Sequence, residues 1–183
     1  NFLFIGHIEH HKGILFLIDA FNSLRNRHRV GSATSPNLPD DKMLLNTELD
    51  IIGDGSLLEK SKKIAKDNIN FFGRLSHAET LNKIQATDFV IMPSLCYENS
   101  PNVISEALSA GKPVIAADIG GAAELVKPEN GYKFEAGNKK DLINKIKLGT
   151  TKLPTFNSNT IKNTVDKLGV GDYTEKLINL YNR

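Results

Sequence analysis

The chain has 183 residues, a length typical of one domain with a well-filled core. Its 23 Lys and Arg residues nearly balance 21 Asp and Glu residues, and neither sign forms a block, which argues against a nucleic-acid surface or a polybasic membrane anchor. A single cysteine, Cys96, excludes an internal disulfide, and no apolar run approaches the roughly 20 residues that span a bilayer. The chain starts on an apolar run without Met, so we expect a piece of a longer protein.

Short apolar runs alternate with amphipathic segments along the chain. Five runs rich in Val, Ile and Phe predict strands at "NFLFI", "LDIIG", "INFFG", "DFVIMP" and "PVIAA". Helical patterns follow the first four, in "GILFLIDAFNSLRNR", "SLLEKSKKIAKD", "HAETLNKIQA" and "NVISEALSAG". This alternation predicts an α/β fold with a doubly wound, parallel, Rossmann-like sheet. In such sheets ligands bind beyond the carboxyl ends of the strands.

Three segments carry further expectations. The polar segment 29–47, with two prolines, predicts an exposed loop. Residues 149–159 are expected to form a second polar connector, and residues 172–183 a closing amphipathic helix. The first predicted helix carries one apolar stripe, which consists of Ile14, Leu17, Ile18, Phe21 and Leu24.

A Ser-Pro pair marks the start of the fourth predicted helix. Ser100 is a favoured N-cap, and Pro101 suits the first helical position, where its missing N–H loses nothing. The first turn would expose the unpaired N–H groups of Asn102 and Val103 at the positive end of the helix dipole, which favours a phosphate.

Two glutamates, Glu98 and Glu106, flank this helix start eight positions apart. Because carboxylates repel a phosphate, they are better placed against sugar and ribose hydroxyls. Two acids at this spacing also occur by chance, and surface glutamates are usually solvated. The spacing by itself therefore does not define a site.

Other candidate motifs are weaker. Four residues in one loop, His7, Glu9, His10 and His11, could bind a transition metal, but their spacing matches neither a zinc-protease helix nor a zinc knuckle. The segments "GDGSLL" and "GHIEHHKG" lack the spacing of a dinucleotide fingerprint or a P-loop. We therefore expect no metal and no cofactor.

Motifs along almost the whole chain resemble the retaining group 1, glycogen-synthase-like glycosyltransferases, whose C-terminal domain carries two glutamates separated by seven residues. The densest match is "PSLCYENSPNVISEALSAGKPVIAADIGGAAELV", followed by "NGYKF". Supporting matches are "KGILFLIDAF", "IIGDGSL" and "FFGRLS". The resemblance implies that residues 1–183 form the C-terminal nucleotide-sugar-binding half of a two-domain GT-B enzyme, without its N-terminal acceptor domain.

The resemblance also implies a role for individual residues. Glu98 falls at the position that contacts the donor sugar, Glu106 at the ribose and Lys12 at the diphosphate, with Glu98 and Lys12 as the catalytic pair. The family usually has Gly-Arg after the first strand, where this chain has Gly6-His7. Arg74 and Leu75 match the loop that lines the base, and the backbone of Asn99, Ser100, Asn102 and Val103 matches the phosphate site. The family's glycine-rich step after the first glutamate is here "NSPN", a second departure.

The implied activity is metal-independent retaining hexosyl transfer from a nucleotide diphosphate sugar, with UDP the commonest base in the family. The implied acceptor is a lipid-linked sugar or a cell-surface polysaccharide. The implied location of the enzyme is the cytoplasm, at the inner face of the membrane. Nucleic acid is not expected as a partner. The isolated domain is expected to be inactive by itself. Two alternatives remain at this stage: a sugar-nucleotide epimerase or phosphorylase of the same architecture, and a non-catalytic nucleotide-binding module.

Overall fold

A single parallel sheet organises the chain. The computed structural model describes residues 1–26, 44, 46–152 and 155–166. Within them the strand order is β3-β2-β1-β4-β5-β6, and every neighbouring pair is parallel. The predicted doubly wound α/β fold is confirmed. The strands are β1 (Phe2–Ile5), β2 (Leu49–Ile52), β3 (Ile69–Gly73), β4 (Phe89–Met92), β5 (Val114–Ala117) and β6 (Gly131–Phe134).

The helices follow the predicted alternation and extend it towards the C-terminus. The prediction stopped at β5 and missed β6 with the helices around it. The expected connector at 149–159 is wrong at both ends, because one helix runs to residue 152 and the next begins at residue 158. The helices are α1 (Ile14–Asn26), α2 (Leu58–Ile64), α3 (His77–Ala86), α4 (Asn102–Ser109), α5 (Gly120–Leu125), α6 (Lys139–Lys152) and α7 (Ser158–Asp166), with a 3-10 turn at His10–Lys12.

Two expectations fall mainly outside the described residues. Most of the expected loop at 29–47 lies there, and so does the whole of the predicted closing helix at 172–183. Leu44 is described, and it is buried in the core beside α1.

Two apolar cores cover the two faces of the sheet. Successive side chains of a strand point to opposite faces, so Phe2 and Phe4 of β1 pack with α1 and α6, while Leu3 packs with α3 and α4. All five residues of the predicted α1 stripe are buried, which confirms that prediction. The loops collect at the ends of the strands, and the buried carboxylate of Asp50 within β2 is paired with Lys83 and Asn70.

The 3-10 turn at His10–Lys12 is fastened to the segment that follows β4. Gly13, which ends the turn, has φ 73°, and a Cβ there would lie 2.0 Å from the carbonyl oxygen of Pro93. The backbone N–H of Leu95 donates to the carbonyl of His11 at 2.8 Å. The loops after β1 and β4 are therefore held in contact, although they are far apart in sequence.

A capping box fixes the start of α3. The hydroxyl of Ser76 accepts from the backbone N–H of Glu79, and the backbone N–H of Ser76 donates to the Glu79 carboxylate at 2.9 Å. Hydrogen bonds from the side chain and backbone of Ser76 lower the pKa of Glu79 from its usual value. Only Arg74 and Leu75 separate the end of β3 from this N-cap.

We expect Gly13→Ala to destabilise the fold more than Gly137→Ala. Both glycines have left-handed backbones, with φ 73° and φ 78°, but nothing lies within 4 Å of a Cβ at Gly137. Strain alone should cost about 1 to 2 kcal/mol in either variant, and the overlap with Pro93 should raise the cost at Gly13 to about 3 to 5 kcal/mol. Urea denaturation of both variants measures the difference. Equal losses would show that the contact with Pro93 relaxes freely.

Candidate functional site

A cleft opens at the carboxyl ends of the strands, where the strand order reverses between β1 and β4. This is the place at which open parallel sheets bind ligands. It consists of two cavities of about 460 Å³ and 140 Å³, which share Ile5, Gly6 and His7 in their walls. The expected location of the site, beyond the carboxyl ends of the strands, therefore has two adjacent cavities.

The larger cavity lies over β1, β2 and β3. Its wall contains three of the predicted residues beside Gly6, namely exposed His7, exposed Arg74 and half-buried Leu75. The other polar parts of the wall, the segment Gly53–Gly55 and Thr80, have no role predicted from the sequence. The β2 loop supported the family resemblance through "IIGDGSL", without a role for any of its residues.

The smaller cavity lies between the loop after β1 and the start of α4. Three predicted groups meet there: Lys12, Glu98 and the first helical residues Asn102 and Val103. Ser94, which has no predicted role, lies in the same wall. The cavity thus combines a cation, a carboxylate and the N-terminus of a helix.

Glu98 is held by contacts from the 3-10 turn after β1, from its own loop after β4 and from the first turn of α5. Its Oε2 accepts a hydrogen bond from Lys12 Nζ at 2.9 Å, and its Oε1 accepts one from the hydroxyl of Ser94. Its backbone carbonyl accepts from the N–H of Gly121 at 2.7 Å. The Lys12 and Glu98 side chains are 21% and 16% exposed, so both are screened only in part.

Glu106 lies on α4, one turn after Val103 on the same side of the helix. Its Oε1 is 3.9 Å from Nδ1 of His77, the first residue of α3, and the side chain is 31% exposed. The wall of neither cavity includes Glu106. The two glutamates of the signature therefore face different surroundings, one paired in the smaller cavity and one beside an exposed histidine.

The start of α4 differs from the prediction by one residue. Pro101 is the N-cap and Asn102 the first helical residue, so Ser100 does not cap the helix. Pro101 has φ −71° and ψ 109°, an extended conformation. Asn99 and Ser100 are exposed, and neither lines the two cavities described above, whereas the N–H groups of Asn102 and Val103 lie in the first turn as expected.

Glu9 links the loops after β1 and β2. Its two carboxylate oxygens accept hydrogen bonds from the backbone N–H and the hydroxyl of Ser56, each at 2.7 Å. These bonds, the backbone one first, lower the pKa of Glu9 from its usual value. Within the described ranges, no three His, Cys, Asp or Glu side chains come together to hold a metal ion, and Glu9 is engaged by Ser56 instead.

The parallel sheet, with its strand order reversed between β1 and β4, is a Rossmann-like fold. A family model for glycosyl transferases of group 1 matches residues 1–148, and the chain belongs to that family. Its fold is that of one domain of the two-domain GT-B glycosyltransferases, as the fold prediction stated.

The chain is similar in sequence to several glycosyltransferases. An uncharacterized glycosyltransferase of Methanocaldococcus jannaschii is 28% identical over 172 residues, which cover 91% of this chain and 41% of the relative. A GDP-mannose-dependent monoacylated alpha-(1-6)-phosphatidylinositol monomannoside mannosyltransferase of Corynebacterium glutamicum is 33% identical over 102 residues, covering 51% of this chain and 27% of the relative. The chain therefore spans less than half the length of these relatives.

A solved structure shows the same fold. A mutant of S. aureus TarM, in complex with fondaparinux, alpha-GlcNAc-glycerol and UDP, matches with a TM-score of 0.73 and 21% identity, covering 100% of this chain and 35% of the other. Among the helices in the described part of the chain, none is both long and apolar enough to cross a membrane.

Glu9→Gln should remove a pH-dependent part of the stability. A carboxylate whose pKa is lowered by folding stabilises the fold above its unfolded value of 4.5 and loses that contribution as pH falls through the lower folded value. The unfolding free energy of the parent should exceed that of Glu9→Gln near neutral pH, and the gap should shrink below pH 4.5. Urea unfolding at several pH values tests this.

Ser56→Ala serves as the matched control for this experiment. It removes the hydroxyl but keeps the backbone N–H that Glu9 also accepts from, so it should lose only part of the pH-dependent stability. A gap between parent and Glu9→Gln that does not change with pH would refute the role of the Glu9 carboxylate.

Proposed function

We propose that this chain is the C-terminal, donor-binding domain of a metal-independent retaining glycosyltransferase. The full protein would transfer a hexosyl group from a nucleotide diphosphate sugar to a lipid-linked sugar or polysaccharide. Membership of the glycosyltransferase group 1 family supports transfer over the epimerase, the phosphorylase and the non-catalytic module. The observation that carries the proposal is the Lys12–Glu98 pair beside the start of α4, in a cavity that shares His7 in its wall with the larger cavity.

The smaller cavity suits the diphosphate. As the bond to the sugar breaks, the leaving diphosphate gains negative charge, and a preformed cation with helix N–H groups stabilises it without reorganisation. Lys12, His7 and the N–H groups of Asn102 and Val103 supply those groups. Their convergence from the loop after β1 and from α4 requires no metal ion, because the protein itself provides the positive charge.

The remaining residues suit the other parts of the donor. Glu98, in the same cavity as Lys12, would accept hydrogen bonds from sugar hydroxyls. Glu106, one turn along α4 and beside His77, would accept the vicinal hydroxyls of the ribose. The larger cavity, with Arg74 and Leu75, has room for the base.

We propose UDP as the nucleotide. A solved structural neighbour has UDP bound, although a relative is named as GDP-mannose-dependent, so membership of the family alone does not decide the base. Calorimetry with UDP, GDP and ADP tests the assignment. None of the three carries the donor sugar, so differences in affinity report on the base. The proposal expects UDP to bind with the highest affinity, and failure of all three to bind would overturn it.

The acceptor side is proposed to lie on a separate domain. The chain covers 41% and 27% of the two relatives described above, so much of their length has no counterpart here. Because acceptor positioning supplies much of the rate enhancement, the isolated chain should bind donor without transferring sugar. In the full protein we place the reaction in the cytoplasm, at the inner membrane face where lipid-linked acceptors lie.

Glu106→Ala should weaken nucleoside diphosphate binding. The loss of two charge-assisted hydrogen bonds from the ribose should cost about 1 to 3 kcal/mol, or about 5- to 150-fold in the dissociation constant. Calorimetry with UDP measures it. Glu129→Ala is the matched control, because Glu129 lines a separate cavity with Tyr132 and Phe156. Equal affinity of the two variants would exclude Glu106 from the nucleotide site.

His7→Arg should tighten diphosphate binding. Arginine stays charged at every working pH, and its planar guanidinium can form two parallel hydrogen bonds to phosphate oxygens, which an imidazole ring cannot. Calorimetry with UDP on the variant and the parent measures the gain in affinity.

His10→Arg controls for added charge near the cleft. His10 lies in the same loop but belongs to neither cavity wall, so its substitution should give a smaller gain in affinity. If the two variants gain equally, His7 does not contact the phosphates.

A further inference from the structure

Ser94 is a buried hydroxyl in the smaller cavity to which the proposed function assigns no role. It is the second residue after β4 and is 2% exposed. Its hydroxyl donates to Oε1 of Glu98, four residues along the chain. A buried hydroxyl that donates to a carboxylate orients that carboxylate strongly, because charge-assisted bonds are roughly twice as strong as neutral ones.

The second oxygen of the same carboxylate is held by Lys12. The distance of 2.9 Å from Nζ to Oε2 is that of a direct hydrogen-bonded ion pair. In the proposed function the same ammonium group must bind the diphosphate, which carries more negative charge than one carboxylate. Donor binding therefore draws Lys12 away from Glu98 or shares it between the two anions.

Without Lys12, the Glu98 side chain would keep one side-chain anchor. The backbone of Glu98 is fixed by the N–H of Gly121, and a Cβ at Gly121 would lie only 1.8 Å from the carbonyl oxygen of Asn99, so this backbone cannot shift far. The side chain still has rotatable bonds beyond Cα, and ordering them costs entropy. The hydroxyl of Ser94 remains in place to restrict them.

We propose that Ser94 is a positioning residue for the donor sugar, a proposal that depends on the proposed function. It keeps Oε1 of Glu98 fixed when the diphosphate recruits Lys12, so that Oε2 becomes free to accept a sugar hydroxyl. Glu98 thus exchanges a lysine partner for a sugar partner while its orientation is preserved. Ser94 acts on the sugar through Glu98 and does not act on the nucleotide.

The test compares a nucleoside diphosphate with its sugar conjugate. Calorimetry gives the affinities of the chain for UDP and UDP-glucose, GDP and GDP-mannose, and ADP and ADP-glucose. Ser94→Ala should weaken the nucleotide sugar that the parent binds best by about 10-fold, the effect of one charge-assisted hydrogen bond, and leave the matching nucleoside diphosphate within about twofold. Ser94→Cys, which keeps the volume with a weaker donor, should give a smaller loss.

A double-mutant cycle separates positioning from general support of the fold. In the Glu98→Ala background, Ser94→Ala should change the affinity for the nucleotide sugar by less than about twofold, because its target is gone. Equal losses for nucleotide and nucleotide sugar, or a loss that persists without Glu98, would overturn the inference. So would a parent chain that binds none of the three conjugates more tightly than its nucleotide. Failure of the parent to bind any nucleotide would instead refute the proposed function.

Discussion

The contact between the loops after β1 and β4 is the constraint on which the cleft depends. The two strands are neighbours in the sheet but 86 residues separate Lys12 from Glu98. Gly13 lets the first loop approach the carbonyl of Pro93, and a backbone hydrogen bond from Leu95 fixes the register of that approach. The lysine and the carboxylate then meet as a consequence. Loss of that close approach would move a charged group of the proposed diphosphate site without changing a ligand-binding residue.

Most of the fold could be predicted from the sequence, because five strands are short apolar runs and the helices between them are strongly amphipathic. The C-terminal part could not. The strand β6 has the sequence "GYKF", in which only the two ends are buried, so it has no apolar run. In α6 the buried residues Leu142, Ile143 and Ile146 do have helical spacing, but the Gly149 and Thr150 that follow are poor helix formers and suggested a connector.

The residues of the candidate site could be predicted better than their contacts. The family resemblance predicted Lys12 and Glu98 as the catalytic pair, but their direct ion pair depends on the strand order and on the approach at Gly13. Ser94 has a sequence signal too, since it is a polar residue two positions after a buried strand. The start of α4 was misplaced because a proline suits both the N-cap and the first helical position, and the pattern does not distinguish them.

The capping box at the start of α3 bears on how the site can change in evolution. Since Ser76 already belongs to the helix cap, only Arg74 and Leu75 lie between β3 and that cap, and Leu75 packs against the core beside α3 and α4 whereas Arg74 is exposed. Both line the cavity proposed for the base, whereas the lysine and glutamate of the proposed diphosphate and sugar sites lie on other loops. Arg74 can therefore change the wall of the proposed base site without repacking the core. A substitution there would alter the proposed nucleotide contacts on an unchanged scaffold.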